Sequence, residues 1–129
     1  MNWLFVAASL LTFAVAAVHS VLGEHLVFRR MRSGGLIPTN GGELLRERHV
    51  RILWASWHLV SIMGSGMAVL LFWLATPSSR HLVHSAATGV VAISMLASSL
   101  LVLVGTKGKH PGWLGLLCVA VLVFLGTRA

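Results

Sequence analysis

Residues 46–75 read RERHVRILWASWHLVSIMGSGMAVLLFWLA. A charged entry of Arg46, Glu47, Arg48, His49 and Arg51 runs without a break into an apolar stretch, Ile52 to Ala75, with His58 well inside it. At about 1.5 Å of rise per residue, that stretch as a helix crosses the roughly 30 Å hydrocarbon core of a bilayer. An ionisable residue at such a depth points by default to function, because burying its charge in hydrocarbon is costly.

Working outward, the rest of the chain has the same character. Of 129 residues, 57% are hydrophobic and 10% charged, and the mean hydropathy is +0.87. A soluble domain carries about a quarter charged residues, so lipid is the expected solvent for most of this chain. Apolar segments are predicted at about 3–22, 52–75, 85–104 and 112–126, giving one transmembrane domain over 1–129. Pro77 ends the second segment, and Pro111 starts the fourth near Gly112. The fourth is short, about 23 Å, and needs local thinning of the bilayer or anchoring by Trp113 and Arg128. Ala14-Val15-Ala16 looks like a signal-peptidase site, but no basic residues precede the apolar run, so a retained first span is expected.

The formal charge of +7 does not indicate nucleic acid, because the basic residues flank apolar segments rather than covering a face. Arg29, Arg30, Arg32, Arg46 and Arg48 follow the first span, and Lys107 and Lys109 follow the third. Arg80 and Arg128 fall on the opposite side. The positive-inside rule then makes the first side cytoplasmic and puts both termini outside. Trp3 and Trp73 at the outer ends, with Trp54, Trp57 and Trp113 at the inner ends, fit two aromatic belts. The expected fold is an all-α integral membrane four-helix bundle with up-down topology. Its expected place is a bacterial inner membrane, multi-pass, in contact with the bilayer and with anionic lipid headgroups. A homo-oligomer or a larger membrane partner is also compatible with the sequence.

The long connection, residues 24–50, is predicted to break at Gly34-Gly35 and again at Pro38-Thr39-Asn40-Gly41-Gly42. Leu26, Val27, Phe28 and Met31 between the arginines suggest an interfacial stretch. Thr39 or Asn40 is expected to cap a helix starting near Glu43, along which Glu47 and Arg51 pair four residues apart.

Depth singles out a candidate site. His19 lies roughly 6 Å inside the inner boundary of span one, and His58 roughly 7–8 Å inside that of span two. Two imidazoles at one level on neighbouring helices can ligate one metal or both faces of one haem. The cofactor-binding candidates are His19, His58 and Arg51, with Arg51 two turns above His58 on the same face as an anchor for an acidic group. The metal-ligand candidates are His19, Glu24 and His58, with haem or a divalent metal as the implied cofactor. Glu24 is turned about 140° from His19 in a regular helix unless Gly23 ends it. The plain alternative is that each histidine hydrogen-bonds a neighbouring helix through Ser20, Ser61 or Ser65 and joins the helices. His81 and His84 share one face with only Ser78, Ser79 and Ser85 nearby, which are poor ligands. No HExxH, CxxCH, EF-hand, P-loop or nucleophilic cysteine pattern occurs, and Cys118 sits alone in an apolar run. Small residues four apart (Ser61/Ser65, Gly64/Ala68, Ser85/Gly89, Ser94/Ser98) predict close helix packing.

The pattern His19-Ser20-Val21-Leu22-Gly23-Glu24, then Arg51-Ile52-Leu53-Trp54-Ala55-Ser56-Trp57-His58 after a basic loop, resembles small four-span bacterial membrane proteins to which no activity is attached. The resemblance implies that His19, Glu24, Arg51 and His58 belong to one site. In size the chain is also similar to the small multidrug-resistance transporters, but their glutamate lies mid-span and Glu24 lies at a span end. Three readings follow: a metal, haem or proton-relay protein, a small proton-coupled transporter, and an accessory or structural subunit.

Overall fold

Asn2 begins the fold by closing two contacts at once. Its Oδ1 accepts the Leu4 N–H at 3.1 Å, capping the first helix, and its own N–H donates to the Ala75 carbonyl at 2.8 Å. The structure, a computed structural model, describes residues 1–77 and 79–127, and for Arg80 the backbone alone. Ser78 and Arg128, and the side chain of Arg80, which entered the reading of the outer side, lie outside the described residues. The chain is all-α, with helices α1 (Trp3–Leu26), α2 (Glu47–Ala75), α3 (Arg80–Gly105) and α4 (Gly112–Gly126).

Consecutive helices run antiparallel. The start of α1 meets the end of α2 through Asn2 and Ala75. The start of α2 meets the end of α3, where the Arg51 guanidinium approaches the Val104 carbonyl. Packing is serial, α1 on α2, α2 on α3 and α3 on α4. The seams are built from small residues: Ala16, Ala55, Ala68 and Ser98 are buried. Ser9 donates across to the Ala68 carbonyl at 2.7 Å, and a Cβ added at Gly64 would come within 3.1 Å of Ala16. Small side chains let backbones approach, which gives helices dispersion contacts that lipid cannot match. Larger apolar side chains point outward, among them Leu10, Leu11, Phe13, Ile93 and Leu122.

Helices α1, α2 and α3 are long and apolar enough to cross a membrane, and α4 is a shorter apolar helix. Only 11% of the apolar window of α1 and of α2, and 17% of that of α3, is buried inside the protein. The apolar surface therefore faces outward, the reverse of a water-soluble bundle.

The connection between α1 and α2 departs from expectation in two places. Helix α2 starts at Glu47 rather than near Glu43. Asn40 Oδ1 accepts the Gly42 N–H at 3.0 Å, and Gly42 takes φ +65°, so Asn40 shapes a tight turn instead of capping a helix. Residues 28–31 form a 3-10 turn whose Phe28 is 2% exposed. Phe28 therefore packs into the protein and does not dip into lipid. The Met31 carbonyl accepts from the Thr39 and Asn40 N–H groups at 3.0 and 2.8 Å, closing the loop over α2.

Helix α3 is capped by Ser79, whose Oγ accepts the Leu82 N–H at 3.3 Å. It ends with Lys107 and Gly108 at φ 55° and 71° and the Gly108 N–H returned to the Leu103 carbonyl, a left-handed C-terminal cap. Pro111 precedes α4, as its fixed φ favours. Ser99 Oγ donates to the Trp113 carbonyl at 2.7 Å and joins α3 to α4.

Candidate functional site

Residues 19, 20, 23 and 24 of α1 divide between two neighbours on α2. Ser20 and Glu24 are one turn apart and face His58, while His19 and Gly23 are one turn apart and face Trp57. The Ser20 hydroxyl lies 2.5 Å from His58 Nδ1, and Glu24 Oε2 lies 3.6 Å from His58 Nε2. The imidazole is thus held between a hydroxyl and a carboxylate. The other oxygen of Glu24, Oε1, meets Arg32 Nη2 at 2.5 Å, and Arg32 Nε donates to the Leu36 carbonyl at 2.8 Å. Ser20, His58, Glu24 and Arg32 lie in one row of polar side chains, with a hydrogen bond between Ser20 and His58 and ion-pair distances from His58 to Glu24 and from Glu24 to Arg32.

Trp57 seals one side of it. Its indole stacks on the His19 ring at 4.3 Å and 6°, and its Nε1 donates to the His19 carbonyl at 3.0 Å. Gly23 lies beneath the indole, and a Cβ there would overlap Trp57. Phe28 meets Trp57 edge-on at 5.9 Å and His58 at 6.0 Å, while Trp54 packs edge-on against His58 at 4.9 Å. Aromatic walls lower the local dielectric and strengthen each charge interaction inside them.

The structure sets His19 and His58 at neighbouring positions across α1 and α2 and brings Glu24 toward His58, but the three do not form one ligand set. Among the described residues, no three His, Cys, Asp or Glu side chains converge to hold a metal ion. His19 lies flat on Trp57 with its Nε2 buried and without a hydrogen-bond partner among the described residues, and His58 gives Nδ1 to Ser20 while its Nε2, 3.6 Å from Glu24, has no hydrogen-bond partner there either. The expected metal set of His19, Glu24 and His58 is thus not gathered around one point in this structure.

Arg51 is corrected too. Its guanidinium turns toward α3, with Nη1 3.4 Å from Glu47 and Nη2 3.5 Å from the Val104 carbonyl, and does not overlie His58. The i, i+4 pair with Glu47 is present, and the partner of Glu24 is Arg32. Sequence reasoning placed Arg32 only among the loop arginines; its spacing of eight from Glu24 carries no signal, because the intervening chain leaves the helix. Ser20 was legible, as the plain hydrogen-bonding alternative for His58.

Above Ser20 and His58 a cleft of about 750 Å³ opens between α1 and α3 over α2. Phe13, Ala16, Ser61, Ser65 and Ser94 line it together with His58. Ser61 Oγ is buried without a protein partner. Glu47 lies apart from this site, outward of the apolar segment. The hydrogen bond from Lys107, 3.1 Å long, and then the Lys107 charge, hold its carboxyl below the usual carboxylate range. His81 and His84 are exposed at the opposite end of the molecule. No known family, no curated protein and no solved structure matches the chain.

Proposed function

We infer that this chain is a multi-pass protein of a bacterial-type inner membrane, with both termini outside, whose Ser20–His58–Glu24 line, with Arg32 positioning Glu24, relays protons between the cytoplasmic face and the α1–α3 cleft. The single observation that carries the reading is an imidazole in the cleft wall, hydrogen-bonded to Ser20, with the carboxylate of Glu24 at ion-pair distance on its other nitrogen and 28% exposed. An imidazole between a hydroxyl and a carboxylate can take a proton on one nitrogen and release one from the other. Ser61, Ser65 and Ser94 place hydroxyls in the otherwise apolar wall of the cleft. Basic residues gathered at the end that holds Arg32 support the orientation.

Reconstituted in liposomes, the protein is expected to dissipate an imposed pH gradient faster than empty vesicles. Glu24→Gln and His58→Ala should return the rate to the empty-vesicle value. Wild-type vesicles no leakier than empty ones would sink the relay. A second reading, an accessory subunit, is supported by α4, which packs on α3 and leaves Leu114, Leu122 and Leu125 exposed. It predicts co-purification with a larger membrane protein that survives both substitutions.

A further inference from the structure

A second polar concavity lies at the same end of the molecule, on the other side of α2. It has a volume of about 600 Å³ and sits between the start of α2 and the turn after α3. Arg46, Arg48, Arg51, Lys107 and Lys109 line it, with Glu47 the single acidic residue there. Glu47 is shared: its Oε1 serves Lys107 at 3.1 Å and Arg51 at 3.4 Å.

Arg51 is the telling residue. It is 7% exposed, its two Nη contacts are long, at 3.4 and 3.5 Å, and its Nε is buried without a protein partner. A buried guanidinium normally satisfies its five donors with short, charge-assisted bonds, because removing it from water is otherwise unfavourable. Here half a carboxylate and one distant carbonyl stand against it. The first turn of α2 adds to the imbalance, since its N-cap, Arg46, supplies no side-chain acceptor and the positive end of the helix dipole faces the cluster.

The geometry points to a phosphate-binding site, with Arg51 at its base and Lys107 and Lys109 at its rim, that takes a phosphate monoester or diester. Planar guanidinium donors match phosphate oxygens in pairs, and flexible lysines close over the remaining charge. The cavity is large enough for the headgroup of an anionic phospholipid, and its setting at the basic end of apolar helices also admits free phosphate from solution. The site is independent of the His58 array, since Arg32 and Glu24 are not part of its wall.

The test uses the full chain in nanodiscs and reads thermal unfolding and lipid or phosphate binding. Phosphatidylglycerol–phosphatidylcholine discs are compared with pure phosphatidylcholine discs, and the latter are titrated with inorganic phosphate or, at matched ionic strength, with chloride. Stabilisation by phosphatidylglycerol but not by phosphate assigns a lipid headgroup; stabilisation by inorganic phosphate assigns a free one. Either gain should fall roughly tenfold in affinity in Arg51→Gln and in Lys107→Gln/Lys109→Gln, the usual scale for losing a charged hydrogen bond. The double lysine variant changes exposed positions only, so it reads binding even if Arg51→Gln fails to fold. Glu47→Gln, which removes the competing carboxylate, should tighten binding. Chloride acting as well as phosphate, no gain from either probe, or gains that persist in the lysine variant would overturn the proposal.

Discussion

Gly23→Ala places one methyl group against the Trp57 indole, whose ring atoms already occupy that space. The indole cannot simply swing away. It is pinned by the 3.0 Å bond to the His19 carbonyl, by its stack on His19 and by Phe28 against its edge. Overpacking costs about 1–3 kcal/mol. Loss of the indole hydrogen bond adds about 1 kcal/mol, and loss of the ring stack adds about 0.5–1.5 kcal/mol. Alanine returns about 0.5–1 kcal/mol of helix propensity, leaving a net loss of about 1.5–5 kcal/mol. Unfolding of the detergent-purified protein, followed by tryptophan fluorescence, measures it. The same substitution in a Trp57→Ala background has room for the methyl, so the loss should vanish in the double-mutant cycle. A Gly23→Ala protein as stable as the wild type, with unchanged tryptophan emission, would refute the packing described for this site.

Gly89 is the converse case: nothing lies within 4 Å of an added Cβ, so Gly89→Ala should stabilise by about 0.5–1 kcal/mol in the same unfolding assay. Ser99→Ala removes the bond that joins α3 to the Trp113 carbonyl and should cost about 0.5–1.5 kcal/mol, read as earlier loss of α4 protection in hydrogen exchange. Because the Glu47 pKa is lowered in the folded protein, its pairing with Lys107 contributes at neutral pH and is lost as pH falls through that lowered value. The melting temperatures of wild type and Lys107→Ala should therefore differ at neutral pH and converge in acid; a gap that stays constant across that window would show that the pair does not form.

Helix number and direction were legible because apolar length and the prolines at 77 and 111 are local signals. The neighbouring positions of His19 and His58 across α1 and α2 were legible for the same reason, since rise per residue converts position into depth. Their faces were not. Whether His19 points at His58 or at Trp57 depends on the rotation of α1 against α2, and that is set by Gly23 receiving the indole, a contact between residues far apart in sequence. Arg51 was misplaced because two turns of α2 fixed its own face but said nothing of α3, toward which it turns. Phe28 read as a lipid-facing residue among arginines; the turn that buries it is closed by Met31 with Thr39 and Asn40, and no periodicity announces such a closure.

The contact at the centre of this account is His58 between Ser20 and Glu24. Histidine-ring nitrogen NMR of the protein in lipid nanodiscs, taken across a pH series, observes it directly. Glu24→Gln should move the titration of His58, and Ser20→Ala should move its Nδ1 resonance, while the exposed His81 and His84 stay where they are. If His58 titrates identically in the wild type and in Glu24→Gln, the array is not an ionisable unit and the relay has no basis.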